Sequence, residues 1–266
     1  NFFKLFIKTK RIYKFIMKIT ILGVGGSFGS PLRGQRHGNI DLLNKKNFRT
    51  RSSVLVQINK KNILIDTSPD LRNQLYDAKC TNIDAVLYSH EHSDHTSGIP
   101  DMRAMSLINK KIIPAFMPEH MIPKMESFYN YIFNGEKDYL PFMEIKKLKN
   151  SFKFNNIDIE TFTHNHGSID VQTFKIGNFA YSTDLKKFYD NDIDKLKNLD
   201  LWIVGLLRED DHPAHAGFDK IIEYINYIKP KKTIFTHMTA LLDEVKLKSK
   251  CPKNVYPGYD GMVIDL

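Results

Sequence analysis

The chain has 266 residues, of which 42% are hydrophobic and 26% charged, enough to bury a sizeable core and ordinary for a globular protein. No apolar run approaches eighteen residues, which excludes a helical membrane span. Two distant cysteines, Cys80 and Cys251, exclude a disulfide framework or an all-cysteine zinc site and fit a reducing, cytoplasmic setting. The net charge of +9 would suggest nucleic acid, but Lys4, Lys8, Lys10, Arg11 and Lys14 supply five of those charges within residues 1–16. Nucleic acid is therefore an allowed partner and not the favoured one.

In chain order, residues 1–16 read as a basic N-terminal extension without a secretory core. Met17 opens "MKITILGVGG", a strand running into a glycine turn. Strands are expected at 18–25, 52–59, 61–68, 84–90, 158–164, 171–184, 199–207 and 232–238, all rich in β-branched and aromatic residues. "QINKKNILI" reads as a hairpin turning over residues 59–62. Residues 101–135 read as mostly helical, broken by Pro114, Pro118 and Pro123, and residues 119–150 as helix plus linker. In 217–230, Ile221, Ile222, Ile225 and Ile228 recur at helical spacing and Pro230 ends the helix. No repeat or low-complexity linker divides residues 17–266, so they read as one α/β (α+β) domain of two mixed sheets with helices outside.

The chemistry concentrates in "SHEHSDH". His90 and His92 share a face if the segment is extended, and Asp94 and His95 lie just beyond it. Imidazole and carboxylate are ordinary ligands of zinc and manganese in hydrolytic sites; the alternative is a solvated histidine-rich loop. Other polar groups stand at expected strand ends: His164 and His166, Asp184, and His237. Gly23, Gly26 and Gly29 miss the G-x-G-x-x-G spacing, so a dinucleotide loop is excluded in favour of a turn at the rim of a site.

"HEHSDH" matches the H-x-H-x-D-H signature of the metallo-β-lactamase fold of hydrolases. With "LGVGGSFGSP", "RTRSSVLVQ", "ILIDTSPDLRNQL", "FAYSTD", "IFTHM" and "YDGMVIDL", the chain resembles the branch that contains the phosphoribosyl 1,2-cyclic phosphate phosphodiesterase, and ribonuclease Z more distantly. The resemblance implies an αββα sandwich over residues 17–266 and a cofactor of two divalent metal ions, Zn²⁺ or Mn²⁺. His90, His92 and His166 would hold one ion, with His164 as the alternative to His166. Asp94, His95 and His237 would hold the second, and Asp184 would bridge them. Asp66 is expected to orient a ligand histidine. His215 is expected to contact the phosphate or protonate the leaving oxygen, with Asp94 and His215 as the catalytic residues. Ala216 and Gly217 are expected to admit the substrate to a helix start. His212 is expected to support the site or face solvent, and His37 and His120 to be structural or solvent-facing.

The resemblance implies a phosphodiesterase acting on a small or cyclic phosphate ester. The alternatives are a transfer-RNA-processing nuclease of the same fold, a thioesterase or lactonase, and a non-catalytic metal-binding module. Residues 32–50 contain none of the cysteines with which relatives bind a structural zinc. Relatives also allow a homodimer, and no membrane partner is expected.

Overall fold

The structure is a computed structural model that describes residues 17–32, 38–189 and 192–266. The N-terminal extension and His37 lie outside the described residues.

The first sheet contains β1 (Lys18–Gly23), β2 (Ser53–Ile58), β3 (Lys61–Ile65), β4 (Ala85–Leu87), β5 (Ile113–Met117) and β6 (Met143–Lys147). The second contains β7 (Ser151–Phe154), β8 (Ile157–His166), β9 (Ile169–Ile176), β10 (Phe179–Ser182), β11 (Lys187–Phe188), β12 (Leu201–Gly205), β13 (Lys232–Thr236) and β14 (Val255–Pro257). The last strand, β15 (Met262–Asp265), returns to the first sheet and pairs antiparallel with β1. Helices α1 (Leu71–Asp77), α2 (Ser93–Thr96), α3 (Met102–Asn109), α4 (Ile122–Phe133), α5 (Phe218–Ile228) and α6 (Glu244–Lys250) complete the domain.

Strand alternation builds the layers. Val54, Val56, Ile63 and Ile65 point between the sheets, where they meet Phe174, Tyr181 and Trp202. Leu55 and Leu64, one residue out of phase, join Leu71, Met102 and Met125 under the helices. Ile221, Ile225 and Ile228 of α5 are buried with the inter-sheet group. This is the αββα layering expected from the sequence.

Several boundaries differ from the sequence reading. Residues 101–135 are mostly helical, in α3 and α4, but β5 crosses them as a parallel strand, burying Ile113, Ala115 and Met117. Pro114 is tolerated because β5 pairs with β4 only at Ala115 and Phe116, beyond the missing N–H. Residues 119–150 hold α4 and the strand β6, which extends the first sheet beyond β5. The expected strand 171–184 is a hairpin, β9 and β10, turning at Gly177 with φ +55°. The β2–β3 hairpin turns on Asn59 and Lys60 alone, both left-handed at φ 51° and 61°.

Topology sets the position of the site. β10, β12 and β13 are mutually parallel, and β8 runs with them because β9 lies antiparallel between β8 and β10. Their C-terminal ends share one edge, where His166, Asp184 and His237 sit at or just past β8, β10 and β13. β3 and β4 end at Ile65 and Leu87 of the facing sheet, delivering Asp66 and the His90 segment.

Candidate metal centre

β4 stops at Leu87, three residues earlier than the sequence suggests, so His90 and His92 are not on a strand. Their rings converge for a different reason: hydrogen bonds from the preceding turn hold them. Asp66, fully buried, accepts from Ser89 N at 2.7 Å and Ser89 Oγ at 2.7 Å. With its proton given to Asp66, Ser89 Oγ accepts from His90 Nδ1 at 3.0 Å. Asp66 Oδ2 also accepts from His95 Nδ1 at 2.8 Å. One carboxylate thus fixes the proton of His95 directly and that of His90 through Ser89, leaving both Nε2 atoms with their lone pairs free. His90 Nε2 lies 3.0 Å from His92 Nδ1. The chain then enters α2, a single turn carrying Asp94 and His95 on its buried side.

The opposing wall contributes one residue per strand end. His166 Nδ1 donates to the carbonyl of Ala214 at 2.8 Å, which again leaves Nε2 free. Asp184 lies in the middle. Its Oδ1 is 3.1 Å from His237 Nε2, 3.7 Å from His166 Nε2 and 3.9 Å from His215 Nε2. Its Oδ2 is 3.2 Å from His95 Nε2 and accepts from Thr183 Oγ1 at 2.6 Å. Asp66, Asp184 and His237 all have left-handed backbones, with φ of 61°, 51° and 56°. Such conformations cost free energy in residues other than glycine and persist where surrounding structure enforces them.

His164, the alternative to His166, shares its strand face but sits two residues deeper. Its Nε2 donates to Thr183 O at 2.8 Å and its Nδ1 is 2.9 Å from Thr173 Oγ1. Both nitrogens are therefore committed to the fold, and burial lowers its pKa to about 4. His166 instead joins His90 and His92, with ligand atoms mutually within 4.8 Å. Asp94, His95 and His237 form a second such group, and Asp184 belongs both to one with His90 and His95 and to one with His166 and His215.

The donors fit cations. His95 Nε2 is buried without a hydrogen-bond partner. Its lone pair faces Asp94 Oδ2 at 3.4 Å and Asp184 Oδ2 at 3.2 Å. A lone pair and two carboxylates cannot approach this closely in a buried site without positive charge among them. With protons as the only cations, burial works to keep His95 neutral, but Asp94, Asp184 and Asp66 outweigh it and raise its pKa well above the usual value. Burial likewise opposes ionisation of Asp184, but His237, His95 and His90 hold its pKa well below the carboxylate range. His90 has its pKa pushed well below normal by burial and by His95. A set of N and O donors with this charge balance suits a divalent ion.

His215 lies beside the cluster, its ring 4.6 Å from that of His166 and stacked at 5.5 Å on His237. Burial pushes its pKa down to about 3, against the pull of Asp184.

Similarity to known proteins gives the family and the fold. The family model for the β-lactamase superfamily domain matches residues 61–238. The chain belongs to this superfamily. A curated relative, the octanoyltransferase of Porphyromonas gingivalis, is 30% identical over 254 residues, which are 92% of this chain and 51% of the relative. The chain thus spans about half the length of that relative. A diphosphatase from the PhnP family superposes with a TM-score of 0.88 at 27% identity, covering 94% of this chain and 97% of the other. Zinc-bound PqqB from Methylobacterium extorquens (TM-score 0.77, 16% identity, 94% and 100% covered) and human tRNase Z, short form (0.66, 19%, 93% and 98%), share the fold. Superfamily membership places the protein among metallo-β-lactamase-fold hydrolases.

Three features of the site differ from the sequence reading or escaped it. Ser89, which relays Asp66 to His90, had a weak signal as a hydroxyl residue directly before the histidine run. The Ala214 carbonyl that orients His166 leaves no trace in sequence, since any residue supplies one. Gly217 does not open the backbone to substrate: a Cβ there would come within 2.7 Å of Glu209 O and 2.8 Å of Asp211 N. Gly217 N donates to Asp211 Oδ1 and Phe218 N to Glu209 O, so the cap amide and the first amide of α5 are already used. His212 supports the same loop, its Nδ1 accepting from Ala214 N at 3.2 Å. His120 is exposed. The glycine turn lies at the rim as expected, with Gly26 N donating to Met238 O, next to His237. Among the described residues no helix is long and apolar enough to cross a membrane.

Proposed function

We propose that the protein is a dinuclear metal-dependent phosphodiesterase acting on a small or cyclic phosphate ester. The observation that carries this reading is the central place of Asp184, within 4 Å of a ring nitrogen on each of four histidines, His95, His166, His215 and His237. His90, His92 and His166 would hold one ion and Asp94, His95 and His237 the other, with Asp184 lying between the two groups. Two bound ions, zinc or manganese, supply an activated water and polarise the phosphoryl oxygens. Asp66, Ser89 and the Ala214 carbonyl keep the Nε2 lone pairs of His95, His90 and His166 turned inward, so ligands need no reorganisation on binding. Asp94 and Asp184 offset the cationic charge. His215, next to His166 and His237, contacts a phosphoryl oxygen or protonates the leaving oxygen. The likeness to a diphosphatase over nearly the whole of both chains supports phosphate as the reacting group.

The test combines metal analysis with a substrate panel: bis-p-nitrophenyl phosphate, cyclic ribose phosphates, a nucleoside diphosphate and precursor transfer RNA. We expect about two ions per chain after reconstitution and turnover of small esters faster than of RNA. Fewer than one ion per chain would sink the mechanism. His215→Ala should keep its metal and lose on the order of 10²-fold in kcat; full activity would remove its role. A nuclease reading is disfavoured because residues 119–150, the stretch nearest to an RNA-gripping insertion, are used in α4 and the sheet strand β6.

A second reading, thioester hydrolysis, is favoured by the octanoyltransferase relative. An octanoyl thioester in the same panel decides it: cleavage of that thioester faster than of every phosphate ester would replace the first reading.

A further inference from the structure

His215 stands on the loop 207–217, between β12 and α5, and among the described residues its side chain makes ring contacts with His166 and His237 but no hydrogen bond that would fix it. What the loop rests on therefore decides where the imidazole points. Inside the loop, His212 N donates to His215 O at 3.0 Å and His215 N to His212 O at 3.3 Å, closing a tight strap. Outside it, His166 Nδ1 holds the carbonyl of Ala214 and Leu185 O holds Ala216 N, while the His212 turn is held by a side chain that reaches across from the neighbouring strand end. Lys186, two residues after Asp184, donates to the carbonyl of His212 at 2.7 Å and to Asp211 Oδ2 at 2.6 Å. Asp211 uses its other oxygen to hold Gly217 N at 3.1 Å. The Lys186 ammonium thus grips one residue of the strap directly and, through Asp211, the closed end of the loop. Its own backbone is fixed where Lys186 N donates to Asn165 O at 2.8 Å, beside His166.

We propose that Lys186 is a positioning residue for the reaction: it clamps the His215 loop to the strand end that carries Asp184 and so sets the reach of His215 to the substrate. Lys186 touches neither the candidate ligand atoms nor the place of the reacting group. Its contribution is geometric, since an exposed ion pair such as Lys186–Asp211 adds little stability by itself, whereas a misplacement of about 1 Å at a reacting centre can cost on the order of 10²-fold in rate. The ammonium is suited to the task because it serves a carbonyl and a carboxylate at once through separate N–H donors. This proposal rests on the phosphodiesterase reading for its kinetic consequence but not for the clamp itself.

The experiment compares wild type, Lys186→Met, Lys186→Arg and Asp211→Asn as metal-loaded proteins. Hydrogen–deuterium exchange of peptides covering 207–217 should rise on the order of tenfold in Lys186→Met and rise less in Asp211→Asn, which keeps an oxygen for Gly217 N. With bis-p-nitrophenyl phosphate, kcat should fall on the order of tenfold in Lys186→Met with KM within about twofold and metal content unchanged, and Lys186→Arg should recover most of it. On a His215→Ala background, adding Lys186→Met should cost nothing further, because the residue it positions is gone. Unchanged exchange in Lys186→Met would overturn the clamp. An equal loss with and without His215, or a loss of metal matching the loss of activity, would overturn the link to His215. A wild type inactive on every phosphate ester would sink the phosphodiesterase reading, and the exchange measurement would still decide the clamp.

Discussion

Four candidate donors on the first-sheet side lie within six residues, His90 to His95, whereas His166, Asp184, His215 and His237 arrive from four separate strand ends or loops. The near wall is organised from outside by one buried carboxylate, Asp66, acting on His95 and, through Ser89, on His90. The far wall is organised from within by Asp184, which four histidine rings surround. A compact motif thus needs a support that fixes its tautomers, while a dispersed set needs a centre that its members share. Both solutions place a carboxylate on left-handed backbone, at φ 61° and 51°. In each case the turn after a strand aims the side chain at the site rather than along the sheet.

That contrast can be broken first at its centre. Asp184→Ala removes the group common to both proposed ions, so kcat/KM should fall on the order of 10³-fold, with metal content below one ion per chain by mass spectrometry. A variant retaining two ions and most activity would show that the far wall has no shared centre.

Asp66→Ala acts one step back. Losing the acceptor behind His95 and Ser89 should weaken metal binding about 10–100-fold in chelator competition. Ser89→Ala should weaken it less, because His95 keeps its direct bond. Equal effects of the two would mean that the relay through Ser89, rather than His95, carries the support.

His164 sharpens the distinction between structural and ligand histidines on one strand. His164→Leu leaves Thr183 O in the core without its donor, while Thr173 Oγ1 keeps Ser182 Oγ, and should cost about 1–3 kcal/mol in urea unfolding, with two ions per chain retained. Loss of one ion without loss of stability would make His164 the ligand.

The smallest effect concerns pH. Asp260 supports the near side, accepting from Val24 N, Thr50 N and Thr50 Oγ1 at 3.0, 2.7 and 2.7 Å. Burial raises its pKa to about 6, against the pull of those bonds. Because the folded value exceeds the unfolded one near 4, this stabilisation is complete below about pH 4 and is lost as pH rises through about 6. The Asp260 contribution between pH 4.5 and 6.5 should be about 1–2 kcal/mol and should vanish in Asp260→Asn, seen as a flatter pH dependence of the urea midpoint. An unchanged slope in the variant would remove Asp260 from the pH response.

The near wall and the layering were legible in the sequence because both are local. Six residues of "HEHSDH" carry their chemistry in their spacing, and Val54, Leu55 and Val56 carry their layers in their alternation. The hairpin at Asn59 and Lys60 and the helix ending at Ile228 were local in the same sense. Strand β5 was not, because Pro114 weighs against a strand until it is clear which edge of that strand needs the missing N–H. The preference for His166 over His164 came from the family resemblance; strand alternation could not supply it, because both lie on one face of β8 and depth separates them. What the sequence alone determined is therefore the set of residue types and the elements that hold them. The tertiary structure decided which strand ends meet, which nitrogens are spent on the fold, and that Lys186 lies against the His215 loop, because these depend on contacts between residues tens to hundreds of positions apart, set by sheet pairing.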